Sequence, residues 1–264
     1  MYSFTYHKPT TVRQAGNMLA KDSEAKLLAG GHSLLPVMKL RLAKPSALVD
    51  LNKVEGLSGI ELKGRSIVIG AMTRHVDVAN SPVVKESLPA LADLVGMIGD
   101  PAVRHRGTIG GSLANNDPNA DYPAAVLGLG ATIITNKRRI AADDFFKGIF
   151  TTALEADEII TKVSFPLAKK AAYQKFKQPA SGFALVGVFV SKRGADIRVA
   201  VTGAGENGVF RVKEFEEALK KRFSPKSIEG MSVPASGMGS DIHGGAEYRA
   251  HLVGVLTRRA LAAA

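Results

Sequence analysis

Two glycine pairs, each flanked by hydroxyl or amide side chains, are the residues of this 264-residue sequence best suited to chemistry. The first pair lies in Ala29-Gly30-Gly31-His32-Ser33-Leu34, where an apolar strand ends and Ser33 is predicted to cap a helix. Glycine lets a ligand approach the backbone closely, and successive N–H groups attract anions. A diphosphate fits that chemistry. A plain strand–turn–helix without a ligand explains the pair alone equally well.

The second pair lies in Thr108-Ile109-Gly110-Gly111-Ser112, which opens a long polar stretch containing Asn115 and Asp121. Carboxylates there could accept hydrogen bonds from sugar or ribityl hydroxyls. Taken singly, the stretch is better explained as a turn-rich loop, and Asp121 as an acidic residue favoured at a helix start. Neither stretch matches G-x-G-x-x-G or carries a Walker lysine, which disfavours a Rossmann fold or a P-loop.

Catalytic and metal-ligating groups are not evident. The six histidines have no metal-ligand spacing, so no metal site is predicted. For His32, phosphate binding through the backbone N–H is favoured and the ring is unassigned. There is no cysteine, which excludes disulfides, iron–sulfur ligation by this chain and a cysteinyl flavin. Cytoplasm is the default compartment on this basis.

The charge balance is basic, at 35 − 24 = +11, but the positive residues are dispersed. No basic motif interleaved with aromatic residues indicates nucleic-acid binding, so solvated faces and a partner surface are the favoured interpretation. No apolar run approaches the roughly 18–20 residues that cross a bilayer. The N-terminus has no signal-peptide pattern, and no export is predicted.

The elements that must position these residues indicate an α+β protein of two domains. Helical spacing predicts a helix from Thr11 to Ala20, and apolar runs predict strands at 26–29, 47–51 and a hairpin at 60–69. A helix is predicted at 89–97, an irregular stretch at 100–107 and a glycine-rich turn at 108–112. After Pro166 the pattern changes to three antiparallel strands at 173–177, 184–192 and 196–202, then two helices at 213–222 and from 247. A domain boundary is therefore expected near residues 166–172.

Together the two glycine stretches resemble those of the FAD-binding subunits of molybdenum hydroxylases, such as the medium subunit of aerobic carbon monoxide dehydrogenase and the flavin domain of xanthine dehydrogenase. The similar segments are Ala29 to Pro36 followed by Met38-Lys39-Leu40-Arg41, then Arg106 to Ala114 with Asp117-Pro118 and Asp121, and more weakly Lys175 to Ser181. The resemblance extends from Phe4 to the C-terminal helix.

The resemblance implies a fold of the vanillyl-alcohol-oxidase (PCMH) type. It implies an FAD-binding domain at 1–168, with subdomains of about 1–55 and 56–168, and a smaller C-terminal α+β domain at 169–264. By resemblance, Ala29 to Leu34 and Thr108 to Ser112 hold the FAD diphosphate. Asn115 and Asp121 are implied near the ribityl and ribose groups, Lys175 near the flavin, and Phe183 where carbon monoxide dehydrogenases have a tyrosine over the flavin. Phenylalanine keeps the stacking and loses the hydroxyl.

The implied function is electron transfer in an oxidoreductase. A large subunit would carry molybdopterin, a small subunit would carry [2Fe–2S] clusters, and FAD would pass electrons to a quinone, NAD⁺ or oxygen. The resemblance further implies a dimer of heterotrimers and leaves room for peripheral membrane association. Three alternatives stay open: a stand-alone flavin reductase of the same fold, a nonenzymatic basic binding protein, and a subunit that has lost FAD.

Overall fold

The computed structural model describes all residues from Met1 to Ala264. The chain forms three consecutive parts, each built around one β-sheet with its helices, and these parts are called layers below. The first is a small parallel sheet with strand order β1-β3-β2 and helices beside it. Its elements are β1 (Thr5–His7), α1 (Val12–Lys21), β2 (Lys26–Leu28), α2 (Leu34–Lys39) and β3 (Ala47–Asp50), followed by a 3₁₀ turn at Leu51–Lys53. The strands are short, and β3 is buried along its whole length because it is the central strand.

The second layer is a five-stranded antiparallel sheet that packs against short helices. Its strands are β4 (Ile60–Lys63), β5 (Ser66–Gly70), β6 (Thr132–Thr135), β7 (Arg139–Ala141) and β10 (Ile160–Pro166), with β8 (Phe146–Gly148) and β9 (Thr151–Thr152) forming a separate ribbon. Its helices are α3 (His75–Asn80), α4 (Pro82–Ser87), α5 (Pro89–Gly96), α6 (Pro101–Arg106), α7 (Ile109–Asn115), α8 (Tyr122–Leu129) and α9 (Ala142–Phe145). Helix α8 is buried on every side, which is why it has no polar face.

The third layer is a four-stranded antiparallel sheet followed by two helices. It comprises β11 (Lys170–Lys177), β12 (Ala184–Arg193), β13 (Asp196–Thr202), β14 (Phe210–Arg211), α10 (Lys213–Lys221), a 3₁₀ turn at Pro225–Ile228 and α11 (Ala246–Ala263). Tyr173 and Phe189 from this sheet belong to the core of the second layer, whereas Val188 and Val190 pack under α10 and α11. Alternating side chains therefore join the sheet to a different neighbour on each face.

The predicted α+β class is confirmed, and so are the three antiparallel strands that follow Pro166. The irregular stretch predicted at 100–107 is wrong, because residues 101–106 form α6. Asp100 caps this helix by accepting a hydrogen bond from the Val103 N–H at 2.8 Å, and Pro101 occupies its first turn. After these start signals come two adjacent apolar residues, Ala102 and Val103, and then three basic ones, so no apolar stripe at helical spacing indicated a helix.

The glycine-rich turn predicted at 108–112 is also wrong in part, because the glycines lie inside the first turn of α7. Thr108 is the N-cap, and its Oγ1 accepts a hydrogen bond from the Gly111 N–H at 3.2 Å. Glycine is a poor helix former, and tertiary packing overrides that preference here. Ser33 does precede α2 as predicted, but its side chain makes no capping hydrogen bond.

Candidate functional site: a cavity where two glycine turns meet

The two glycine stretches pack against each other. A Cβ added to Gly30 would lie 2.2 Å from the Arg106 carbonyl oxygen, and one added to Gly111 would lie 3.6 Å from the Ala29 Cβ. Glycine at position 30 is therefore required for the first turn to rest on the segment that leads into the second. Two segments far apart in sequence thus form one continuous wall.

The first turn presents unpaired backbone donors. The N–H groups of Gly30, Gly31, His32 and Ser33 donate to no backbone acceptor. Gly31 has φ +78°, a left-handed conformation that turns the chain from β2 into α2. Consecutive amides in such a turn form a concave anion-binding nest.

The second turn has its amides occupied. The Ile109 N–H donates to the Thr73 carbonyl at 3.2 Å and the Gly110 N–H to the Ala71 carbonyl at 2.8 Å. A Cβ on Gly110 would lie 2.6 Å from the Ala71 Cβ. This glycine therefore lets α7 pack on the segment after β5, and Thr108 and Ser112 bring hydroxyl groups to the wall.

Between the turns lies a cavity of about 630 Å³, a size typical of small-molecule and cofactor sites. Of the fifteen residues predicted for the site, thirteen line this cavity, and they are Ala29, Gly30, Gly31, His32, Ser33, Leu34, Thr108, Gly110, Gly111, Ser112, Asn115, Asp121 and Phe183. The other two, Ile109 and Lys175, do not line it. Ile109 is fully buried in the core of the second layer, because it faces inward from the first turn of α7.

Lys175 lies behind Asp121 and forms a buried ion pair with it. The Lys175 Nζ is 2.8 Å from Asp121 Oδ2, and the side chains are 0% and 3% exposed. The Tyr173 hydroxyl donates to Asp121 Oδ1 at 2.5 Å, and Lys175 also donates to the Met97 carbonyl at 3.1 Å. Burial raises the pKa of Asp121 and of Tyr173 and lowers the pKa of Lys175.

Sequence reasoning missed Tyr173, although a signal existed. Tyr173 and Lys175 are two residues apart on β11, so their side chains emerge on one face of the strand. Both oxygens of the Asp121 carboxylate are thereby held by the third layer.

His75 is a second missed residue of the cavity wall. Its Nδ1 and the Tyr122 hydroxyl are the buried side-chain polar atoms without a hydrogen-bond partner, and the two rings are 5.4 Å apart. The ring packs on Gly107, where a Cβ would lie 2.5 Å from Nε2. Burial, aided by electrostatic interactions with His32 and Arg104, lowers the pKa of His75 to about 4, so the ring is neutral at pH 7. A single histidine after a strand carries no sequence signal of this role.

Phe183 lines the cavity from the loop between β11 and β12 and is 48% exposed. Ser181 from the same loop lines it too. The backbone carbonyl of Phe183 accepts a hydrogen bond from the Gln178 N–H at 2.9 Å, which closes this loop. The third layer therefore contributes one rim of the cavity.

The residues present fit a dinucleotide cofactor. Four unpaired amides suit the oxygens of a diphosphate, and the glycines leave the wall free of side chains where the turns meet. No group of three or more acidic or histidine side chains is arranged to hold a metal ion. No helix of the protein has the length and apolar character needed to cross a membrane.

Two family models match the chain. The FAD binding domain in molybdopterin dehydrogenase matches residues 2–168, and the CO dehydrogenase flavoprotein C-terminal domain matches residues 171–264. The matched models define an FAD-binding flavoprotein of two parts. The chain belongs to the family of FAD-binding subunits of molybdenum hydroxylases.

Individual relatives are similar over nearly the whole chain. The carbon monoxide dehydrogenase medium chain of Hydrogenophaga pseudoflava is 37% identical, with 99% of this chain and 96% of the relative covered. The nicotine 6-hydroxylase medium subunit of Paenarthrobacter nicotinovorans is 38% identical, with 97% and 95% covered.

Solved structures agree with these relatives. Carbon monoxide dehydrogenase from Hydrogenophaga pseudoflava superposes with a TM-score of 0.88, at 37% identity, covering 100% of this chain and 97% of the other. Quinoline 2-oxidoreductase from Pseudomonas putida 86 superposes with a TM-score of 0.84, at 30% identity, covering 100% and 97%.

These comparisons confirm the predicted family, the two-part fold, the FAD cofactor and the oxidoreductase class. The names of these relatives mark them as medium chains or subunits of multi-subunit enzymes, and the carbon monoxide dehydrogenases among them are molybdenum enzymes.

Proposed function

We propose that this chain binds FAD noncovalently between its two glycine turns, accepts electrons from a [2Fe–2S] partner subunit and passes them to an external acceptor. The observation that carries the proposal is the row of unpaired amides on residues 30–33, which faces a cavity that the second turn completes. FAD, when bound, supplies a carrier that accepts electrons singly and releases them in pairs. The chain itself binds and orients this cofactor.

Each part of the cavity has a separate role in this proposal. The amides of Gly30 to Ser33 bind the diphosphate, and the hydroxyls of Thr108 and Ser112 complete that site. Asn115 hydrogen-bonds the ribityl or ribose hydroxyls. Asp121, held on both oxygens by Tyr173 and Lys175, lies near the same hydroxyls, and Lys175 lies behind it on the side of the flavin. Phe183 covers part of the flavin.

The partner arrangement follows from the same proposal. The chain has no cysteine, so the clusters are carried by another subunit. Three features stay predictions from the family resemblance: a division of the chain into 1–168 and 169–264, a dimer of heterotrimers, and any peripheral membrane association. A cytoplasmic location stays a prediction from the absence of cysteine.

The test is the flavin content of the purified chain and of two glycine variants. Gly31→Val places a β-branched residue at φ +78° and pushes its Cβ to within 3.3 Å of Leu35 and Leu28, which disrupts the amide row. We expect FAD affinity to fall at least a hundredfold, measured by flavin absorbance per protein after desalting.

The matched control is Gly56→Val. Gly56 has φ +73°, nearly the same backbone strain, but a Cβ there meets nothing within 4 Å. We expect the control to lose stability and keep full flavin content. Full flavin content in Gly31→Val, or none in the unmodified chain, would overturn the proposal.

A further inference from the structure

A second cavity, of about 640 Å³, shares no lining residue with the cavity between the glycine turns. Its walls come from α3, α5, α6 and the last turn of α11, and β11 forms its remaining side. This cavity is called the β11 groove below. It is marked out by Asn80, Gly96, Arg104, Ala263 and the strand residues Ala171 to Gln174.

The groove runs along the edge of β11. Four consecutive residues of the strand, Ala171 to Gln174, line it. Successive side chains of a strand point to opposite faces of the sheet. Tyr173 accordingly belongs to the core of the second layer, and Ala172 belongs to the core that includes α11. A cavity that contacts all four residues does not lie on one face alone, so it lies beside the backbone.

The backbone on this edge has unpaired groups. β11 is the outermost strand of its sheet and pairs only with β12. In an antiparallel pair, every second residue directs its N–H and C=O groups away from the neighbouring strand. No backbone hydrogen bond outside the regular strands and helices includes residues 171–176. The outward donors and acceptors are therefore open to a further strand.

Protection of this edge by charge is confined to the ends of β11. Native edge strands commonly carry exposed lysines that prevent pairing with other chains. Lys170 and Lys177 are exposed at the first and last positions of the strand, whereas the Lys175 ammonium is buried against Asp121. The four residues in the groove therefore lack the usual barrier to a further strand.

The shape of the groove selects a single extended chain as its occupant. α5 packs on one face of β11 and α11 on the other, so the strand edge is recessed between helices and leaves room for one strand rather than a sheet. The walls carry small side chains, among them Ala79, Ala92 and Ala263. They suit the small or β-branched side chains that are common in extended segments.

We propose that the β11 groove binds an extended peptide segment of another polypeptide, with small or β-branched side chains, which adds to the third-layer sheet as a fifth strand beside β11. Backbone hydrogen bonds to β11 provide the affinity, and the alanine-lined walls select side chains by size. The proposal does not depend on FAD, because the groove and the cavity between the glycine turns have no residue in common.

The experiment measures the fluorescence anisotropy of a labelled peptide, fluorescein-Ser-Val-Thr-Ala-Thr-Val-Ser-amide, titrated with the full chain. We expect saturable binding with a dissociation constant below about 1 mM. Two further peptides carry N-methyl groups on alternate residues, in opposite phase. Because a strand pairs with its neighbour through every second residue, one phase should weaken binding at least about tenfold and the other less than about twofold.

Gly96→Trp tests where the peptide binds. Gly96 is the last residue of α5 and lines the groove, and a Cβ there would meet nothing within 4 Å. A tryptophan is therefore accommodated by its neighbours and fills the groove, whereas the matched control Gly96→Ala leaves the groove open. We expect at least about tenfold weaker peptide binding in Gly96→Trp and unchanged binding in Gly96→Ala. Flavin content should be the same in both variants.

Hydrogen exchange locates the bound peptide independently. Saturating peptide should slow the exchange of amides in β11 and leave β7, an edge strand of the five-stranded sheet, unchanged. Absence of saturable binding, equal effects of the two methylation patterns, or full peptide affinity in Gly96→Trp overturns the proposal. So does equal slowing of exchange in β7 and β11. The methylated peptides are tested on the unmodified chain, so they decide the proposal even where Gly96→Trp folds poorly.

Discussion

The two glycine turns share a dipeptide and a cavity, yet they differ in what their amides do. In the first turn, four consecutive N–H groups have no backbone acceptor, whereas in the second the Ile109 and Gly110 N–H groups are bonded to the segment after β5. Gly31 is needed for its positive φ, and Gly110 for close packing on Ala71. The first turn therefore leaves its backbone donors available, whereas the second turn uses its own to hold α7 in place.

The difference shows that a repeated motif need not repeat a role. The first turn follows β2 of the small three-stranded sheet, and Gly30 packs on the backbone of Arg106 and Gly107 to complete the cavity wall. The second turn is fixed from beneath by Thr73 and His75, and nine residues later Asp121 is fixed by β11. Substitutions of the residues that support the second turn and Asp121 therefore test whether a residue binds FAD or only holds the fold in place.

The largest effect is expected from Asp121→Asn. The Lys175 ammonium would stay buried without its counter-charge, and breaking such a pair costs about 3–5 kcal/mol of unfolding free energy. Urea denaturation should show this loss, with part of it recovered in Asp121→Asn/Lys175→Met. Glu217→Gln, which removes an exposed ion pair, should change stability by less than about 0.5 kcal/mol. If Asp121→Asn lowered the free energy of unfolding by an equally small amount, the Asp121 segment of the second layer would need no anchor from the third layer.

A pH-dependent effect is expected from His75 beneath the second turn. Burial lowers its pKa from 6.5 to about 4, so between these values the unfolded chain binds more protons than the folded chain. The free energy of unfolding is therefore highest above pH 6.5. It decreases as the pH falls toward 4, by up to about 3 kcal/mol, because the unfolded chain takes up a proton on His75 first.

The measurement is the difference in unfolding free energy between wild type and His75→Gln at several pH values. The slope of stability against pH between 4 and 6.5 should be shallower in His75→Gln. The exposed His251 provides the control, since His251→Gln should leave the slope as it is in wild type. Identical slopes in all three proteins would contradict a neutral His75.

The smallest effect is expected from Thr108→Val, which removes the cap of α7. Thr11 caps α1 in the same way, and each threonine Oγ1 accepts a backbone N–H at 3.2 Å. Thr108→Val and Thr11→Val should each lose about 1 kcal/mol of unfolding free energy. Only Thr108→Val should lower the affinity for FAD, and a flavin titration should show a decrease of several-fold. Equal FAD affinity in both would remove the second turn from the binding surface.

Much of the architecture could be predicted from local pattern. The helix predicted at 213–222 is observed at Lys213–Lys221, because its apolar residues recur at helical spacing beneath a charged face. The strand predicted at 184–192 is observed as β12 for a similar reason: a long apolar run with β-branched residues favours a strand buried on both faces. The two glycine stretches also indicated a shared site before any fold was known.

The different hydrogen bonding of the two turns could not be predicted, because it depends on contacts between residues distant in sequence. Whether an amide is unpaired is decided by acceptors such as the carbonyls of Ala71 and Thr73, which local pattern does not place. The position of Lys175 behind Asp121 likewise depends on how β11 packs on the second layer. Residue types indicated the chemistry, and tertiary packing assigned each residue its place.

Two hydrogen bonds join the end of β13 to the segment before Asp121, and they have a consequence for the order of folding during synthesis. The Thr202 hydroxyl donates to the Ala120 carbonyl at 2.7 Å, and the Gly203 N–H donates to the Pro118 carbonyl at 2.9 Å. A nascent chain that has emerged from the ribosome only as far as residue 168 has both glycine turns but lacks these ties. During synthesis, the segment that carries Asp121 therefore gains its support from the third layer only after the strands that follow residue 168 have been translated.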